Sequence, residues 1–305
     1  MKAQTNDSLN DVDAENAVEV TASNYREKKH RRREAAWHTL RSGNAQPLHR
    51  RNMTKKSAKI PPPKQTPCAR CPLKSIAVFR AFQPDELEFV EWFKSGEFVT
   101  DAGATILMEG HSSPHLYTVL QGWAFRYKTL PDGRRQILNF AMPGDFLGLQ
   151  TSMFNEMQHS VETLTKTVLC VFPREKIWTL YEKFPNLAFD LTWLASRSES
   201  LLDEQLLSLG RQSAIERVAY ALLHIYFKAV QLGLSKSDKV AFPFTQQHLA
   251  DALGLSLVHT NKTLKSLIDK KTIRWKEGVF ELINEAKLRE IASFEGDGGQ
   301  TRPLI

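Results

Sequence analysis

The spacing of apolar residues changes twice along the chain, and each change predicts a different kind of structure. From residue 97 to residue 173 apolar side chains recur at every second position in short runs broken by turn residues. That period predicts strands over 98–100, 105–108, 116–121, 123–129, 135–141 and 168–171. Gly103, Gly110, Gly122, Asp132-Gly133 and Pro143-Gly144-Asp145 supply the breaks, and Asp132-Gly133 is a hairpin signal in its own right. Evenly spaced short strands of this kind predict an antiparallel jelly roll of about 75 residues. A short helix is expected just before it, over 85–93, with Leu87, Phe89 and Val90 as its apolar positions.

Beyond residue 184 the period lengthens to that of a helix. Pro185 suits a first turn, and Leu187, Leu191, Leu194, Leu201 or Leu202, and Leu206 or Leu209 line one side. Ser198 and Ser208 interrupt the seam, and Gly210 is expected to end the helix. A stripe this long could pair with its copy in a dimer; the alternative is a helix packed wholly on its own β-domain. A further amphipathic helix is expected over 213–230, with Val218, Leu222, Ile225 and Tyr226 inward.

Residues 244–283 carry the most informative pattern. Thr245 can cap a helix whose apolar positions are Leu249, Ala252 and Leu253, and Gly254 allows a tight turn after it. Leu255 plugs the corner and Ser256 caps a second helix. Leu257, Thr260, Leu264 and Leu267 form its expected inward side, with His259, Asn261, Lys262 and Lys265 polar. Two short strands joined through Lys276-Glu277-Gly278 follow. This is the pattern of a helix-turn-helix with a β-hairpin wing, a device that places side chains in a major groove. An ordinary three-helix packing unit is the alternative. A closing helix over 284–292 and a loose polar tail over 293–305 complete the chain.

Charge changes this picture less than the total suggests. The net charge is +7, but residues 1–23 balance to −4 and residues 24–64 to +11, so the remainder is near neutral. The basic character belongs to the N-terminal stretch, which includes Lys28-Lys29-His30-Arg31-Arg32-Arg33 and Pro61-Pro62-Pro63. Such a stretch is expected to be disordered and could add salt-sensitive contacts to nucleic acid. Met53 offers a second start that would leave the folded body whole. The expected division is therefore a disordered tail 1–66, a sensory β-roll 67–180, a dimerisation helix 181–210, a DNA-binding domain 211–292 and the tail 293–305. No apolar run reaches membrane-spanning length and the N-terminus is polar, so a cytoplasmic protein with no membrane partner is expected. Three cysteines, Cys68, Cys71 and Cys170, are too few for a secreted disulfide scaffold.

A β-roll, a long helix and a winged helix-turn-helix, in that order, resemble the Crp/Fnr family of bacterial transcription regulators. The resemblance spans about residues 68–292 and is carried by Gly122, Pro143-Gly144-Asp145-Phe146-Leu147-Gly148 and the winged motif. It implies an α+β fold, a homodimer, double-stranded DNA as partner and contact with RNA polymerase. The family's base-reading glutamate and arginine match Val258 and Lys262 here. Valine cannot accept a hydrogen bond from cytosine, and lysine lacks the bidentate fork, so altered half-site preference is implied. Ser256, His259 and Asn261 complete the expected base-facing set, and Lys265, Lys270 and Lys271 are expected on phosphates.

The same resemblance bears on the signal. The family's cyclic-nucleotide residues match Gly148-Leu149 and His159-Ser160; Leu149 cannot bind ribose hydroxyls, which argues against cyclic AMP. The iron-sulfur branch uses four cysteines; Cys68, Cys71 and Cys170 match three, and Ala77 replaces the fourth. A four-thiolate cluster is thus not available within the chain, while redox or metal sensing through the three cysteines stays open. The leading reading is a homodimeric, sequence-specific transcriptional regulator sensing an unknown signal. Its rivals are a redox- or metal-responsive regulator and a β-roll ligand-binding or protein-interaction module without specific DNA binding. No nucleophile, base and orienting group fall into an enzyme pattern.

Overall fold

A computed structural model of the protein describes residues 65–296 and 301–305. The expected basic tail up to residue 64 and the second start at Met53 lie outside these residues; Thr66, expected within the tail, is instead held by Glu97 and Lys94. In the region of period two, eight strands pair antiparallel in two sheets: β1 (Gly96–Thr100), β2 (Thr105–Leu107), β3 (His115–Gln121), β4 (Ala124–Thr129), β5 (Arg135–Ala141), β6 (Phe146–Leu147), β7 (Ser160–Thr163) and β8 (Thr167–Pro173). One sheet has the order β1-β8-β3-β6 and the other β2-β7-β4-β5. Alternate residues turn inward, so Leu107, Val119, Ala124, Ala141, Leu147, Val161 and Leu169 form one buried cluster between the sheets, whereas Leu116, Phe125 and Ile137 belong to the core shared with the helices. Strands β6 and β7 were not expected. The first has two residues, and Ser160-Val161-Glu162-Thr163 carries a single apolar side chain, too little for a period to show.

Helix α1 (Pro84–Phe93) precedes the roll, with Gln83 and Glu86 capping its start reciprocally. Two short helices, α2 (Leu149–Phe154) and α3 (Ile177–Lys183), follow β6 and β8. The long helix α4 (Pro185–Arg211) runs past Gly210, which lies within it. Its end comes at Gln212, where the backbone turns extended. The expected glycine stop is therefore corrected: Gly210 is exposed with no crowding around it, and a mid-helix glycine costs only about 1 kcal/mol. Leu187 and Leu191 are buried, whereas Leu202, Leu206 and Leu207 face outward.

Helix α5 (Ala214–Gln231) begins at a capping box of Ser213 and Glu216 and buries Val218, Leu222, Leu223 and Ile225. The strands β9 (Ser235–Lys236) and β10 (Lys239–Ala241) lead to α6 (Gln246–Leu253), α7 (Leu257–Asp269), β11 (Ile273–Lys276), β12 (Val279–Leu282) and α8 (Glu285–Ala292). The wing is a four-stranded sheet, order β11-β12-β10-β9, rather than the expected hairpin alone. Its tip is a two-residue turn, with φ of 53° at Glu277 and 75° at Gly278.

Aromatic side chains join the roll to the winged unit. Phe244 stacks on Phe140 at 4.5 Å and on Phe242 at 4.9 Å, Phe242 stacks on Phe280 at 4.6 Å, and Trp123 closes on Phe242 and Phe244 at 6.4 Å each. The segment expected to be a loose tail also differs. Phe294 is buried against Tyr220 and Phe227, and residues 301–305 return to the roll, where Leu304 and Ile305 are buried. Two apolar residues at the end of a polar stretch have no period, so their burial was not visible in the pattern.

Candidate nucleic-acid interface and effector cavity

The helix pair is set by local chemistry at its caps. Thr245 Oγ1 accepts from the His248 N–H, and Gly254 enters the left-handed region at φ 61°, which turns the chain between α6 and α7. Ser256 Oγ then accepts from the His259 N–H at 3.2 Å and starts α7. Thr260, Thr263, Leu264 and Leu267 are buried along the inner side of α7. Leu257, expected on that side, is instead 40% exposed. It occupies the first turn, before the helix meets its neighbours, and this corrects the expectation.

Among the described residues, nothing packs over the outer side of α7. Ser256, Val258, His259, Asn261, Lys262 and Lys265 are exposed, and Val258 is 79% exposed. Lys270 and Lys271, also exposed, follow at the helix end. All eight expected DNA-facing residues thus fall on one helix and the residues that flank its two ends. The rear of the unit is held by β5 of the roll, through Arg135 and Gln136, and from within by Arg217 on α5. Arg135 pairs with Asp251 at 2.9 Å, Gln136 Nε2 donates to the Ala252 carbonyl at 2.8 Å, and Arg217 donates to the Leu253 carbonyl at 3.2 Å.

A cavity of about 160 Å³ lies between the roll, α4 and α5. Of the residues expected there, Gly148, Leu149 and His159 line it. Ser160 is buried beside it, its hydroxyl accepting from the Glu109 N–H at 3.0 Å. Sequence reasoning missed Arg126, on β4, whose Nε donates to His159 Nε2 at 2.9 Å. An arginine in a strand of mixed polarity gives no signal until β4 is seen beside β7. Burial, with the charges of Arg126 and Lys128, pushes the His159 pKa from 6.5 down to about 3, so the ring is a neutral acceptor. Asn139 Oδ1, also on the cavity wall, has no hydrogen-bond partner among the described residues. Asp145 closes one side, taking Lys228 Nζ and Arg302 Nη2 at 2.6 Å each. Burial alone would raise its pKa, but the two cations hold it well below the usual carboxylate range.

The three cysteines are brought together. Cys68 and Cys71 are half-buried in 3₁₀ turns before α1, Cys170 is buried on β8, and all three are free thiols lining one slot. Burial pushes the Cys170 thiol up to about 12 and also raises Cys68, so both stay protonated at neutral pH.

Comparison with known proteins follows this geometry closely. Residues 97–184 match the cyclic nucleotide-binding domain, and residues 216–291 match the Crp-like helix-turn-helix domain. The nitrogen fixation regulation protein FixK of Bradyrhizobium diazoefficiens is 32% identical over 227 residues, 74% of this chain and 94% of that protein. The chain belongs to the Crp/Fnr family. The transcriptional activator protein FnrL of Cereibacter sphaeroides is 27% identical over 239 residues, 76% of this chain and 94% of that one. Among solved structures, FixK2 from Bradyrhizobium japonicum aligns with a TM-score of 0.59 at 26% identity, covering 64% of this chain and 96% of that one. As a Crp/Fnr protein it is a transcription regulator of the DNA-binding kind and not an enzyme. No described helix is long and apolar enough to cross a membrane.

The family's iron-sulfur cluster does not fit these residues. Ala77, at the fourth position, has no ligand atom, and the apolar side chains of Leu304 and Ile305 line the slot where the three thiols converge. Among the described residues no group of three or more His, Cys, Asp or Glu is placed to hold a metal ion.

Proposed function

We propose that this Crp/Fnr protein is a homodimeric, sequence-specific regulator of transcription, acting in the cytoplasm on a near-palindromic DNA site. The observation that carries this reading is the outer side of α7, where His259, Asn261, Lys262 and Lys265 are exposed while Thr260, Leu264 and Leu267 anchor the helix beneath them. Lys262 is the base-reading cation and Asn261 a second base contact, with Lys265, Lys270 and Lys271 on phosphates. Leu202, Leu206 and Leu207 form the dimer seam, since three leucines on the outside of one helix need a partner surface. Residues 67–180 are the sensory part, 181–210 the dimerisation helix and 211–292 the DNA-binding part.

The signal enters, in this reading, as a small anion in the cavity beside Arg126 and Lys228. Leu149 supplies no acceptor for ribose hydroxyls, which disfavours cyclic AMP. The test selects DNA from a random pool with the purified protein and measures binding by anisotropy across salt. A selected inverted repeat, bound by two chains and with a steep salt dependence, is the expected result. Equal affinity for selected and random DNA would leave a β-roll module without specific DNA binding.

A further inference from the structure

The end of the described chain does something that neither the DNA-binding nor the cavity reading uses. Residues 301–305 lie against the roll and are held there at several points. The Arg302 N–H donates to the Val78 carbonyl and the Arg80 N–H to the Arg302 carbonyl, both at 2.8 Å, giving a parallel bridge at Phe79. The Arg302 guanidinium pairs with Asp145 and lies over the Phe79 ring at 5.4 Å. Phe79 in turn rests on Gly144, where no side chain would fit. Two residues on, Leu304 and Ile305 are 5% and 3% exposed in the slot lined by Cys68, Cys71 and Cys170, and Thr118 Oγ1 donates to the Ile305 carbonyl.

A half-buried ion pair, a backbone bridge and two buried aliphatic side chains in five residues make the pattern of a docked peptide rather than of a trailing end. We propose that the face formed by Phe79, Asp145, Thr118 and the three cysteines is a peptide-binding site for an Arg-Pro-Leu-Ile sequence. Its occupant in cis is segment 301–305, which latches the winged unit onto the β-roll and covers the thiols.

The latch acts through two links. The segment follows α8, whose Leu288 and Ala292 are buried in the winged unit, so docking it on the roll tethers one part to the other. Asp145 also holds Lys228 from α5, so one carboxylate carries cations from two places in the C-terminal half. Releasing the segment takes one of those cations away and opens the slot beside Cys170. Thiol accessibility and the attachment of the winged unit are therefore one equilibrium. The site is separate from α7, and the proposal stands whichever DNA is bound.

The experiment compares the full chain with a chain ending at residue 300 and with full-length Arg302→Ala and Ile305→Asp. Maleimide labelling of each cysteine is followed by mass spectrometry, and amide hydrogen exchange over 135–141 and 246–253 is measured in parallel. In the truncated chain, labelling of Cys170 is expected to rise at least tenfold and exchange in both segments to increase. The free peptide of residues 301–305 is expected to restore both in a saturable way, while the same peptide with alanine for arginine is not. Both point variants are expected to move labelling in the direction of the truncation, which keeps the test open should the shortened chain fold poorly. Equal Cys170 labelling in the full chain and all variants would overturn the site. Unchanged exchange over 135–141 and 246–253 despite faster labelling would overturn the latch.

Discussion

Gly144 shows how little freedom a single position has in this molecule. Its φ is 87°, and an added Cβ would fall 2.1 Å from Phe79 Cζ. Gly144→Ala therefore meets both a left-handed backbone and an aromatic ring, and a loss of about 1–3 kcal/mol is expected in urea unfolding. An unchanged midpoint would mean that Phe79 moves aside freely. His159 has a different consequence, in pH. Its pKa is near 3 in the folded chain against 6.5 for an ordinary histidine, because burial and the Arg126 and Lys128 charges disfavour the proton. As pH falls, the unfolded chain takes up this proton first. The contribution of His159 to stability is thus complete above about pH 6.5 and declines between about 6.5 and 3. His159→Gln retains an acceptor for Arg126 without titrating, so stability measured at about pH 7 and about pH 5 should fall less steeply in the variant. Parallel slopes in the two proteins would rule out a buried neutral ring.

At the scale of the element, α7 and α4 each carry a test. Lys262→Ala should cost specific binding about 1 kcal/mol or more while sparing random DNA, since a base contact discriminates. Lys270→Ala should weaken both alike and lower the salt slope by about 1, since a phosphate contact positions without discriminating. Equal loss on specific and random DNA for Lys262→Ala would remove it from the base-reading role. On α4, Leu206 is 71% exposed, so Leu206→Glu should leave the stability of the single chain within about 0.5 kcal/mol. Sedimentation should nonetheless show a shift from dimer to monomer; a dimer that persists would move the seam elsewhere. The caps of α6 and α7 were legible in the sequence because Thr245, Gly254 and Ser256 act on their own neighbours. The end of α4 was not, because Gly210 has no local partner and the helix continues through it.

At the scale of the molecule, the joint between roll and winged unit is aromatic at its centre and polar at its rim. Phe244 touches Phe140 and Trp123 from the roll and Phe242 and Trp275 from its own side. Phe244→Ala should cost about 3–5 kcal/mol and split a single unfolding transition into two, read by calorimetry. A single transition at the original temperature would place the coupling in the Arg135 and Gln136 contacts instead. The joint aligns α6 against β5, so the clasp that holds the winged unit and the cavity wall at Asn139 share one strand.

By itself the sequence determined what depends on neighbours along the chain. Period two marked β1 to β5 and β8, the cap residues marked the helix pair, and one polar face of α7 collected the residues expected to face DNA. Those signals are local, because caps and alternating faces are set within a few residues. Only the tertiary structure decided which distant groups share an environment. It placed Arg126 on His159, turned Leu257 outward, gathered Cys68, Cys71 and Cys170 into one slot, and seated Leu304 and Ile305 there. Such pairings join residues far apart in sequence. Burial and ion pairing act through space, so no spacing along the chain records them.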